Sequence, residues 1–151
     1  MPHQIDKTAL VMHSAERMFH LVNDIARYPE FLPWCAGAEV HHHGPEQIMA
    51  SLEIAKGGVR HKLTTRNQLL MPEAIEMNLV EGPFRNLTGR WHFKALSESA
   101  CKVVLTLEFE FSGSLSRMTF GPIFNQAATT MVDAFCRRAD DIYKEARHAS
   151  S

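Results

Sequence analysis

The sequence predicts an α+β domain in which a curved, seven-stranded antiparallel sheet wraps around a long C-terminal helix, with two short helices after the first strand. Three observations lead there. Apolar residues recur with a period of two from about Ala38 to Phe111, and with a period near 3.6 on either side. The period-two stretch is interrupted only by short turn signals, and short turns join antiparallel neighbours. The last segment carries one long apolar stripe, for which the sheet's apolar face is the available partner. The 151 residues allow one core and are too few for two. Residues 1–151 therefore read as a single domain with a core of about residues 5–143.

The elements follow in order. Ile5 to Met12 reads as the first strand. Ser14 is suited to cap a helix, and Glu16 sits in its first turn, where the helix dipole favours a carboxylate. Ala15, Met18, Phe19, Val22 and Ile25 then recur at helical spacing. Tyr28-Pro29 is expected to break this helix, because a residue before proline avoids the α region. Pro29 is expected to open a second short helix through Phe31. Strands are expected over Ala38 to His43, Gln47 to Lys56, Val59 to Leu70, Ala74 to Glu81, Leu87 to Ala95 and Cys101 to Phe111. The turns between them are Gly44-Pro45, Gly57-Gly58, Met71-Pro72-Glu73, Gly82-Pro83 and Ser97-Glu98-Ser99. Phe120, Phe124, Ala127, Met131, Phe135 and Ile142 form the stripe of a final helix reaching about Arg147. Gly121-Pro122 is expected to kink or restart it near its beginning. A few residues at each end are expected to be loose.

Composition narrows the function. An apolar fraction of 45% and a net charge of −1 exclude whole-chain disorder. Sixteen basic residues against seventeen acidic ones exclude nucleic-acid binding by bulk charge, and no DNA partner is expected. No apolar run approaches the ~20 residues of a membrane span. Met1 to Lys7 is polar and mixed in charge, unlike a signal or transit peptide. Cys35, Cys101 and Cys136 are far apart, and an odd number of thiols fits a reducing compartment. A cytoplasmic protein is expected.

Catalytic motifs are sparse. Gly57-Gly58 lies between two strands and reads as a hairpin turn rather than a phosphate loop. Gly113-Ser114 leads into a helix but lacks the closing glycine of a nucleophile elbow. On a regular strand only His41 and His43 of the triple histidine share a face, and two ligands are too few for a structural zinc. Adjacent helical acids diverge, so Asp140-Asp141 is expected in water rather than as an acid/base pair. No catalytic residue, metal ligand or required cofactor is assigned, and a non-enzymatic role is expected.

His61 lies in phase with Val59, Leu63 and Leu69, together with Thr65 and Asn67. If this face is inner, three polar groups enter an apolar interior, where they need partners or offer anchors to a ligand. The pattern alone leaves both phases open. Arg60, Lys62 and Arg66 occupy the opposite phase. With Arg85, Arg90 and Lys94 they would form a basic outer patch, diluted by Glu73, Glu76, Glu108 and Glu110. Phenylalanine and methionine are the remaining signal. A helix that does not fill the concavity of a curved sheet would leave an apolar cavity with adaptable walls.

Several segments resemble a known family. They are Leu21-Val22-Asn23-Asp24, Tyr28-Pro29-Glu30-Phe31-Leu32-Pro33-Trp34-Cys35, Thr64-Thr65-Arg66-Asn67, and Glu81-Gly82-Pro83-Phe84 with Leu87 and Trp91-His92-Phe93. Phe109-Glu110-Phe111 and Met131-Val132-Asp133-Ala134-Phe135 with Arg138-Ala139 complete the set. The chain resembles the RatA and coenzyme Q-binding branch of the START and birch-pollen-allergen superfamily, also called polyketide cyclase-like or oligoketide cyclase/lipid-transport proteins. The resemblance implies a helix-grip fold and two functions of different class. Mitochondrial relatives bind ubiquinone and support respiration as lipid chaperones. Bacterial RatA relatives are toxins that associate with the large ribosomal subunit and block subunit joining.

The leading expectation is a binder of a ubiquinone- or prenylquinone-like lipid, held between the last helix and the sheet. Trp91, Phe93, Phe120, Phe124, Met131 and Phe135 are its candidate walls and Phe84 a candidate gate. His61 and Asn67 are candidate head-group anchors. The alternative is action on the large ribosomal subunit, with Arg60, Lys62, Arg66 and Arg90 as candidate contacts. Near-zero net charge places it second. Peripheral contact with the inner membrane is a further expectation.

Overall fold

The computed structural model describes residues 3–149, with side chains described through residue 143. The ends expected to be loose include residues 1–2 and 150–151, which lie outside the described residues. The order is β1 (His3–Val11), α1 (Ala15–Asn23), a 3-10 helix (Ile25–Glu30), β2 (Cys35–His43), β3 (Gln47–Lys56), β4 (Val59–Leu70), β5 (Ala74–Glu81), β6 (Phe84–Ser97), β7 (Ala100–Phe111) and α2 (Ser114–Ala149). The seven strands form one antiparallel sheet in the order β1-β7-β6-β5-β4-β3-β2. Successive hairpins build β2 to β7, and β1 closes the series by pairing with β7. The curved sheet gripping a long C-terminal helix is the expected architecture.

β3, β4 and β5 have the bounds that the alternation predicts. β2 begins earlier, at Cys35, and β6 begins at Phe84 rather than Leu87. Both carry register shifts, at Cys35/Gly37 and Val40/His42 in β2 and at Phe84/Asn86 in β6. A bulge places two residues opposite one and interrupts strict alternation, so periodicity understates these strands.

α1 is capped as expected, with the Ser14 hydroxyl accepting from the Arg17 N–H at 3.1 Å. It ends at Asp24 rather than at Tyr28-Pro29, and Pro29 lies inside the 3-10 helix instead of opening a new one. Tyr28 supplies the reason. Its ring is buried and its hydroxyl donates to the Val22 carbonyl at 2.5 Å, which folds the segment back beneath α1. Short 3-10 segments make few internal bonds, so proline costs little there. α2 runs as one helix through Gly121-Pro122, with neither break nor restart. Pro122 is exposed, so the Met118 carbonyl it leaves unbonded faces water.

The core lies on the concave side of the sheet. Met18, Phe19 and Val22 of α1 and Phe120, Phe124, Phe135 and Ala139 of α2 pack on Trp91, Phe93, Val103, Leu105 and Phe109. The phase of β4 is settled by its register. His61, Leu63, Thr65 and Asn67 pair with Ile54, Leu52, Ala50 and Ile48, the apolar face of β3, and are inner. Arg60, Lys62 and Arg66 therefore point outward. Among the described residues, no helix is long and apolar enough to cross a membrane.

Candidate functional site

α2 and the 3-10 helix cover the middle of the concave face, and between them and the sheet lies a cavity of about 70 Å³. Leu63, Met77, Trp91, Leu107, Phe124 and Met131 supply much of its apolar wall. Gly89 shapes it. This residue sits between Leu87 and Trp91 on the inner face of β6, opposite Met77 of β5 and Leu107 of β7. Leu107 Cδ2 and Met77 Cε come within 2.6 and 2.7 Å of where a Cβ would stand, so both side chains lean into the gap. A water occupies about 30 Å³ of liquid, and a cavity of about 150 Å³ admits benzene. The space thus suits one or two small molecules of water size, and a quinone ring needs the walls to move.

The cavity's polar lining is Tyr28, Thr65 and Asn67. The Thr65 hydroxyl donates to Asn67 Oδ1 at 2.9 Å. Asn67 is buried, and among the described residues its amide nitrogen has no hydrogen-bond partner. Tyr28 donates to Val22, and burial pushes its phenol far above the ordinary range, helped by the charges of Cys35 and Asp24. No histidine or carboxylate lines the space.

Of the sequence-predicted ligand residues, the structure brings Trp91, Phe124, Met131 and Asn67 to this wall. Phe93 is buried against Phe19 and Trp91. Phe135 is in the solid core, its ring 5.2 Å from both Tyr28 and Phe31. Phe84 is buried among Phe109, Phe111, Phe120 and Phe124. His61 is half-buried, with its ring 4.6 Å from Phe120. Tyr28, Trp34, Met77 and Leu107 line the cavity without having been singled out. Met77 and Leu107 lie on the inner phases of β5 and β7, which strand alternation could have found. Tyr28 and Trp34 lie in irregular segments whose side-chain directions no period fixes.

On the outer face, Arg60 pairs with Glu53 at 2.6 Å, Arg90 with Glu76 at 3.7 Å and Arg85 with Glu110 at 3.5 Å. Lys62 and Arg66 have no ion-pair partner among the described residues. His41 is the extra residue of the β2 bulge and lies on this face, where its Nε2 is 2.6 Å from Ser51 Oγ, itself 2.5 Å from Thr64 Oγ1, while the shift sets His43 opposite the inner Ile48. The expected pairing of His41 with His43 on one face assumed a regular strand and does not hold. No group of three metal-binding side chains occurs among the described residues. Asp140 is also not simply solvated. Its Oδ1 lies 2.7 Å from Nε2 of the buried His13, tying α2 to the start of α1.

The apolar cavity under a gripping helix agrees with the sequence comparisons. Residues 11–136 match the family described as polyketide cyclase/dehydrase and lipid transport. The chain belongs to the polyketide cyclase/dehydrase and lipid-transport family. Within this family its relatives are of the RatA and coenzyme Q-binding kind. A protein of Pseudomonas aeruginosa named ribosome association toxin RatA is 50% identical over 143 residues, covering 95% of this chain and 99% of that one. The mitochondrial coenzyme Q-binding protein COQ10 of Drosophila melanogaster is 26% identical over 133 residues, covering 85% of this chain and 55% of that one. The crystal structure of the Zhui aromatase/cyclase of a Streptomyces species superposes with a TM-score of 0.82 at 17% identity, covering 93% and 94% of the two chains. That likeness shows the family's helix-grip fold alone. The chain's relatives therefore include proteins named as a toxin and as a coenzyme Q binder, and its fold is shared with a cyclase.

Proposed function

We propose that this protein binds the large ribosomal subunit and blocks its joining to the small one. One observation carries the reading: half of the residues are identical, over nearly the whole of both chains, to a protein named as a ribosome association toxin. The outer face supports it. Lys62 and Arg66 are cations without acidic partners, whereas Arg60 and Arg90 are partly neutralised by Glu53 and Glu76. Unpaired cations are the ones available to phosphates. Ribosome profiles on overexpression test the reading. Joined ribosomes should fall and free subunits rise, and Lys62→Glu with Arg66→Glu should restore the profile. Unchanged subunit joining would overturn it.

A second reading rests on the cavity, where an apolar wall surrounds the free amide of Asn67. There the protein would hold a prenylquinone, a ring carbonyl accepting from the Asn67 amide, with α2 moved outward to enlarge the space. The lining favours binding over acid/base catalysis, because its one titratable group, Tyr28, is held protonated by burial. Native mass spectrometry after loading with lipid extract should show a retained prenylquinone that Asn67→Leu releases. Absence of any retained quinone, or retention indifferent to Asn67→Leu and Phe124→Asp, would remove this reading.

A further inference from the structure

Exposed apolar side chains gather at one end of the sheet. Leu10 of β1, Met12 just after it, Met71 in the β4–β5 turn and Leu96 near the end of β6 are 73%, 67%, 61% and 55% exposed. The register places them on one rim. Leu10 stands opposite Lys102, and Lys102 opposite Lys94, in a single outer-face row across β1, β7 and β6. Val11 and Ala95 both pair with Cys101, which sets Met12 and Leu96 one step beyond that row. Leu70 pairs with Ala74 and Ala74 with His92, which brings Met71 to the same end.

Lys94 and Lys102 stand directly opposite each other on this face. Like charges directly opposite on neighbouring strands repel. Among the described residues neither has an ion-pair partner, whereas Arg60, Arg85 and Arg90 each have one. The next row inward, Thr8–Val104–His92, also lacks a carboxylate. The acids nearest along the chain, Glu73 and Glu98, lie in the adjoining turns and are exposed.

We propose that this rim docks on an anionic lipid surface. Leu10, Met12, Met71 and Leu96 enter the interface, and Lys94 and Lys102 reach lipid phosphates with their alkyl stems lying along the apolar side chains. The chemistry favours lipid over RNA. The exposed side chains are aliphatic, and the rim presents neither aromatic rings for stacking on bases nor arginine forks for phosphates. The contact goes beyond the ribosome reading and does not depend on it.

Co-sedimentation of the full chain with vesicles tests this proposal. Vesicles containing phosphatidylglycerol should bind the protein in a salt-sensitive way, and phosphatidylcholine vesicles much less. Lys94→Gln and Lys102→Gln should each weaken binding about fivefold. Leu10→Ser with Leu96→Ser should weaken it at every salt concentration. Leu115→Ser with Met118→Ser, at the exposed start of α2, should leave it unchanged, and circular dichroism should confirm folding of all variants. No binding to anionic vesicles, rim variants that bind like the parent, or loss of binding only in the α2 variant would each overturn the proposal. So would lysine variants that lose ribosome co-sedimentation but keep full vesicle binding.

Discussion

Gly89 shows how one residue governs the site. Glycine weakens a strand, and its presence inside one signals a close approach of neighbours. Here the neighbours are Met77 and Leu107, each less than 3 Å from the missing Cβ position. Gly89→Ala must push both back towards the cavity. They are flexible chain ends beside empty space, so the cost should fall near the low end of overpacking, about 1 kcal/mol. Urea unfolding should show a lower midpoint with an unchanged slope, and an unchanged midpoint would mean that the gap is not filled as described. The sequence displayed this glycine between Leu87 and Trp91 but not its consequence, because the filling side chains come from two other strands. Asn67 was more legible. Its place in the β4 alternation marked it as a polar group on an inner face, once the register with Ile48 fixed which face was inner.

At the scale of elements, legibility followed turn signals. β3, β4 and β5 are bounded by glycine or proline turns, and their ends were readable despite a register shift at Thr64/Thr65 between β4 and β5. β2 and β6 contain bulges, and the 3-10 helix has no apolar period of its own. It is held by tertiary contacts instead, with Tyr28 bonded to Val22 and packed on Phe135. α1 is the clearest local case. Its nine residues make few internal bonds, so the Ser14 cap is a large part of its local stability. Ser14→Ala should cost about 1 kcal/mol, whereas Ser14→Gly should cost only a few tenths. Thermal or urea unfolding of the two variants checks this. Equal losses would assign the effect to packing around Ser14 rather than to its hydrogen bond with Arg17.

Over the whole molecule, the least informative sequence quantity was net charge. A value of −1 ranked lipid binding above ribosome binding, yet the RatA relative favours the reverse order. The sum hides which cations are paired. Arg60, Arg85 and Arg90 face carboxylates, while Lys62, Arg66, Lys94 and Lys102 stand apart in two local groups. The buried acids that remain protonated have a different whole-molecule effect. Burial pushes the thiols of Cys35, Cys101 and Cys136 up to about 11, from an ordinary value of 9.0, and pushes Tyr28 further still from 10.0. Nearby charges of Asp133 and Asp140 add to the effect at Cys136. The folded chain therefore holds these protons at a pH where the unfolded chain has released them. Their contribution to stability is fully present below the unfolded values and is lost as pH rises through the folded ones. The urea midpoint should be flat to about pH 9 and then fall steadily towards about pH 11. Replacing the half-buried Cys136 with alanine should make that fall shallower and leave the neutral-pH slope intact. A midpoint independent of pH across this window would show that the three thiols ionise as freely in the folded chain as in the unfolded one.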